Sequence, residues 1–254
     1  MTRFSEWCTE IDVASTGSHR QKMLCADPEK VMAAVTIVAG VVPDHYVMPG
    51  RLAGLFSRLG RSAVAEFIAT KMPTSPQIKS GDLGEVLCTT FVHEQTPFKQ
   101  GIKRLRWKDH RNMSMRGDDV LGFNLDHATG HLTVLKAESK SGIAMRSTTV
   151  NDARAALSSF GELPSPHAMS FVADRLTESG EISLKNAIDD AQLKNPLKPA
   201  DVTHLLFAFS GNDTTKILQA NLRDYAGGAT QMYVGLRVAE HQKFISSVFT
   251  AVEP

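Results

Sequence analysis

Apolar positions change their spacing several times along the 254-residue chain, and each change predicts an element. Residues 28–42 are almost continuously apolar and predict a buried helix, with Asp27 as its cap and Pro28 in its first turn. "RLAGLFSRLGRSAVAEFIATKM" keeps helical spacing through Gly54 and Gly60, and "PTSPQIKSG" reads as a linker. Residues 1–75 are therefore expected to form a helical N-terminal region. In "SGDLGEVLCTTFVHEQ" an apolar stripe of Leu83, Val86, Leu87 and Phe91 predicts another helix, capped by Ser80. The period then shortens to two. "FKQGIKRLRWKD", "DDVLGFNLD" and "HLTVLKAES" predict three strands, the last two joined by a turn at 127–130. "TTVNDARAALSSFG" predicts a helix capped by Asn151 and stopped at Gly161, and two more helices fall near 168–179 and 183–194. "VTHLLFAFS" at 202–210 is apolar enough for an interior strand. A helix over 213–224, a strand "ATQMYVGLRV" and an amphipathic final segment follow. This order predicts an α/β unit over 76–254, a mixed sheet flanked by helices.

Composition narrows the function classes. The net charge is +1, so affinity for nucleic acid has to come from a local patch. The longest weakly polar run, "KVMAAVTIVAGVVPDHYVM", is cut at Pro43 short of a bilayer span, so no membrane partner is expected. "MTRFSEWCTEIDV" does not read as a signal peptide. Cys8, Cys25 and Cys88 form no Cys-x-x-Cys pair, which predicts reduced thiols in a cytoplasmic protein.

The hairpin carries the chemistry. Side chains two apart on a strand share a face, so Glu138 and Lys140 emerge together. If the turn at 127–130 sets the pairing, Asp119 lies beside Glu138. Two carboxylates and an ammonium on one patch suit a hard cation, magnesium or manganese, with Lys140 placed to hold a phosphate or orient water. One such ion or two fit the ligand count equally. In the basic stretch before the hairpin, a strand would put Arg104, Arg106 and Lys108 on one face, suited to a DNA phosphate backbone.

A helix with Glu, a strand, a strand opening on Asp, a strand ending Glu-x-Lys, then helix and strand resembles the PD-(D/E)XK nuclease superfamily, whose restriction-endonuclease-like fold is thereby expected. With "GDLGEVL", "RGDDVLGF" and "LKAESKSG" in that order, the chain resembles in particular the HamA family, nuclease subunits of the bacterial Hachiman antiphage system. The resemblance implies Asp119 and Glu138 as metal ligands, Lys140 as catalytic lysine and Glu85 as a further active-site acid. It also implies a helicase partner, HamB. Asp118 qualifies for the ligand position as well as Asp119, although Val120-Leu121-Gly122-Phe123 follows Asp119 directly. The expected function is a metal-dependent DNA nuclease acting as an antiphage effector. A catalytically silent subunit of the same fold, binding DNA and scaffolding a helicase, is the alternative.

Overall fold

The computed structural model describes residues 1–13 and 17–252; positions 14–16 of the expected N-terminal region and the last two of the expected second unit lie outside the described residues. In chain order the elements begin α1 (Phe4–Trp7), β1 (Cys8–Val13), β2 (Arg20–Ala26), α2 (Val31–Tyr46), α3 (Pro49–Lys71) and α4 (Pro76–Gln95). The middle of the chain supplies β3 (Lys99–Gln100), a 3₁₀ turn at Arg104–Trp107, β4 (Val120–Leu125), β5 (Leu132–Gly142) and α5 (Ser147–Ser158). Then come α6 (Pro166–Ser179), α7 (Ile182–Leu193), β6 (Val202–Ser210), α8 (Thr215–Arg223), β7 (Thr230–Arg237) and α9 (His241–Val252).

The seven strands form one mixed sheet in the order β1-β2-β7-β6-β5-β4-β3. β2, β7, β6 and β5 run parallel at its centre, and the hairpins β1–β2 and β4–β5, with β3, add antiparallel edges. β6 is buried along almost its whole length, which explains its unbroken apolar run: both faces of a central parallel strand are covered. Helices α2, α4 and α9 pack on one face around Phe91, Phe207 and Phe249. The other face carries α5 and α8 around Leu206 and Tyr233, and α6 and α7 around Phe123 and Val172. The mixed α/β architecture flanked by helices is the one expected.

Several expectations are corrected. Residues 1–75 are not helical throughout: β1 and β2 join the same sheet, β2 lying parallel to β7. β1 is an exposed edge strand, so it lacks the buried alternation that would have announced it. Helix α2 passes through Pro43, whose missing N–H falls in the final turn, and so carries Asp44 and His45 on its end. Ser80 and Asn151 are interior helix residues. α4 starts earlier, at Pro76 in its first turn, and α5 starts at Ser147. The strand expected over residues 98–109 is only the two residues of β3, followed by the 3₁₀ turn.

Candidate functional site

β5 outruns its antiparallel neighbour. The β4–β5 ladder ends at Val120 opposite Ala137, while β5 continues beside β6 to Gly142. The step leaves a notch at the carboxyl ends of the parallel strands, the place where open α/β sheets hold their ligands. Helix α4 crosses there unusually close. A Cβ on Gly84 would stand 3.0 Å from Ser139 Oγ and 3.2 Å from Ser141 Cβ, so even a methyl at this position would force the serines of β5 to give way. The close approach delivers Glu85, the next residue, into a cleft of about 630 Å³ that also takes in Asp82, Arg104, Asp119, Glu138 and Lys140.

The polar contacts in the cleft are short and convergent. Asp119 is the next residue outward from Val120, and its Oδ2 accepts from the Ser139 N–H at 2.9 Å. Lys140 Nζ donates to Glu138 Oε1 at 2.6 Å. Arg104 grips Glu85 with Nε and Nη2, each at 2.9 Å, and the same Nη2 reaches Asp119 Oδ1 at 2.7 Å. One helical turn before Glu85, Asp82 accepts from Tyr46 Oη at 2.6 Å and from Lys108 Nζ at 2.7 Å and 2.9 Å. Such charge-assisted, bidentate contacts fix side chains more firmly than neutral ones.

Electrostatically the cleft is over-supplied with carboxylate. Burial pushes Glu85 up to about 7 although Arg104 pulls it down. Burial and then the Asp119 charge raise Glu138 to about 7. Burial also raises Asp82, against Lys108 and Tyr46. For Lys140 burial works against the ammonium, but the contact with Glu138 and the nearby Asp119 leave it raised. Among the described residues no group of three or more His, Cys, Asp or Glu side chains forms a closed metal-binding set. Magnesium does not require one. It takes one or two carboxylates and keeps water on its remaining positions, and the hard oxygens of Asp119 and Glu138, with Glu85 adjoining, match that demand. A dication here would offset both the burial and the weaker mutual repulsion that raise the acids.

A model of the HamA family matches residues 1–252, nearly the whole chain. The chain belongs to the HamA family. The Hachiman protein HamA of Bacillus cereus is 25% identical over 255 residues, covering 98% of this chain and 90% of that protein.

Within this HamA-family chain the four residues singled out in the sequence, Glu85, Asp119, Glu138 and Lys140, line a single cleft. Asp118 turns away from it. Its carboxylate accepts from the Ser165 N–H at 2.8 Å and lies 3.6 Å from Lys136 Nζ. The three basic residues expected on a strand face are instead fanned by the 3₁₀ turn toward four acids. Arg104 lies between Glu85 and Asp119, Arg106 pairs with Asp44 at 2.6 Å, and Lys108 pairs with Asp82. A tight turn separates side chains that a strand would align, and the buried Leu105 anchors it. Arg104 as a clasp between carboxylates, and Asp82 as a further buried acid, escaped the sequence reading. The spacing of Asp82 and Glu85, three apart on one helix face, was the signal available for the second.

Proposed function

We propose that this HamA-family chain is a metal-dependent deoxyribonuclease that hydrolyses phosphodiester bonds as the effector of a bacterial antiphage complex with a helicase partner. The observation that carries the reading is the meeting of Glu85, Asp119, Glu138 and Lys140 in one cleft at the carboxyl ends of parallel strands. Asp119 and Glu138 would hold magnesium or manganese, which when bound supplies Lewis-acid stabilisation and a more acidic water. Lys140, already tied to Glu138, sets a positive charge beside the reacting phosphate as negative charge builds there. Glu85 offers a further oxygen once Arg104 lets go of it, and Arg104 is then free to pair with phosphate, for which its planar fork is suited. The defence setting rests on the kinship with a Hachiman protein, and the helicase on what the family resemblance implies. The test is cleavage of DNA by the purified chain, alone and with its helicase partner, in magnesium or manganese and in chelator. Metal-dependent cutting that Lys140→Ala abolishes supports the reading; cutting unaffected by that change sinks it.

One observation favours a second reading, a catalytically silent subunit that binds DNA and scaffolds the helicase. Arg104 holds both oxygens of Glu85 and one of Asp119, and Ser139 holds the other. A site closed in this way for good would not load a cation. Phage protection that survives Lys140→Ala but fails on charge reversal of Arg106 would establish it.

A further inference from the structure

Beside the cleft lies a second cavity of about 360 Å³, within the size range of small-molecule sites. The two are separated by a thin partition: Arg104, Ser114, Met115 and Asp119 line both. The second cavity differs in character. Trp107 and Phe171 meet edge to face in its wall, with ring centroids 6.1 Å apart at 88°. The Arg175 guanidinium stands over both rings, at 5.6 Å and 5.2 Å from their centroids, and holds them as a rigid platform. Neither ring is fully buried. Leu121 and Val172 add apolar surface, while Gln100 and His167 supply groups able to pair with the edge of a planar heterocycle. A flat aromatic ring with a polar rim satisfies such walls, and a nucleobase is that shape.

We propose that this cavity takes one unpaired nucleobase of the DNA strand, next to the phosphate held at the carboxylate cleft. The inference rests on the nuclease reading and sharpens its substrate class. A strand that must leave one base in the side cavity while its phosphate sits at Lys140 is a single strand or a frayed end, because a base stacked within intact duplex is out of reach. Trp107 is then a positioning residue and takes no part in bond breaking.

Binding is measured in chelator by fluorescence anisotropy, with a short labelled single strand and a matched strand carrying one abasic residue at successive positions. The wild type is expected to bind the intact strand roughly 10-fold more tightly than the best-placed abasic one, the scale of a single base–aromatic stack. Trp107→Ala should lose that increment on the intact strand and bind the abasic strand as the wild type does. The milder Trp107→Phe should retain part of it. Quenching of Trp107 emission by the intact strand provides a second readout, since Trp7 is buried against Phe244. Equal loss on both strands, or no discrimination by the wild type at any abasic position, overturns the proposal. Cleavage of the same strands in magnesium separates the two readings. Cutting without base discrimination defeats the base site alone, discrimination without cutting in any metal, with the helicase partner present, defeats the nuclease alone, and the absence of both defeats both.

Discussion

Strand β5 carries two lysines four residues apart, and their surroundings could hardly differ more. Lys136 is sealed in. Its Nζ donates to the carbonyls of Ala156, Leu157, Ser159 and Leu163 and faces Asp118, with side-chain exposures of 2% and 8% for the lysine and the acid. It caps the C-terminal carbonyls of α5, where the helix dipole favours a cation. It also pins the turn in which Phe160, Gly161 and Glu162 all have positive φ, a strained run that persists only where its surroundings dictate it. Glu162 is held in turn by Tyr225 and the Gly228 N–H, and its carbonyl by His204. Lys140 instead has one acid partner, Glu138, at exposures of 31% and 14%, and a cleft in front of it. The first arrangement spends every donor on protein. The second leaves ammonium hydrogens for something else. The neighbouring acids divide likewise, Asp118 to the sealed side and Asp119 to the open one, so one strand and its neighbour serve both a structural knot and the candidate site.

The comparison breaks most sharply under substitution of the two lysines. Lys140→Ala is expected to lower DNA cleavage by on the order of 10²–10³-fold, the scale of losing one charge stabiliser, with little change in melting temperature. Lys136→Met should do the reverse. Stranding the buried Asp118 and uncapping α5 costs about 3–5 kcal/mol, on the order of 10 °C in a chain of this length. Adding Asp118→Asn should restore much of that loss. A thermal melt alongside a cleavage assay reads both, and a drop of similar size in melting temperature for both single variants would erase the contrast.

Arg104→Ala sharpens the account of the open side. Removing the guanidinium that competes for Glu85 and Asp119 should tighten manganese binding roughly tenfold, the worth of one charge-assisted contact. The apo protein should melt lower, and magnesium should raise its melting temperature by more than it does for the wild type. Titration calorimetry with manganese checks the affinity; unchanged or weaker binding would show that Arg104 helps to build the site and does not block it.

The buried histidines should report themselves through pH. Burial lowers His204 to about 4, and Arg154 and Lys136 add to that against the pull of Glu162; its Nε2 faces the Glu162 carbonyl, and donors from Arg154 and Gln231 face Nδ1. His45 falls to about 3 and His241 to about 4, chiefly through burial. At these three rings the folded chain binds fewer protons than the unfolded chain below the ordinary histidine value of 6.5, while Glu85 and Glu138, raised to about 7, take up protons in the folded chain and offset part of that difference. Stability present above that pH is lost as pH falls toward 4. In a Glu85→Gln, Glu138→Gln background, which removes the offsetting acids, melting temperature should decline by a few degrees per pH unit over this window, and a flat profile there would contradict the neutral, buried state of these rings.

Much of the fold was legible where local pattern and long-range packing agree. The β4–β5 hairpin, α4 and β6 announce themselves through stripes and runs that their burial explains. The pairing that sets Asp119 at the level of Glu138 followed from a turn signal. What escaped depends on partners far away in sequence. "KRLRWK" alternates like a strand, yet its conformation is decided by Asp44, Asp82 and Glu85 on two helices, none of them visible in the local pattern. β1 hides because an exposed edge strand needs no apolar face. The choice between Asp118 and Asp119 could not be read from adjacent identical letters; it is set by Lys136 and Ser165 drawing one of them to the opposite side.

That division between neighbouring aspartates offers the most direct test of the open site as a cation centre. Manganese binding should be measured by electron paramagnetic resonance on the wild type, Asp118→Asn and Asp119→Asn. The account predicts that Asp119→Asn loses the bound ion while Asp118→Asn keeps wild-type occupancy despite a lower melting temperature. Loss of manganese in Asp118→Asn with retention in Asp119→Asn would contradict it.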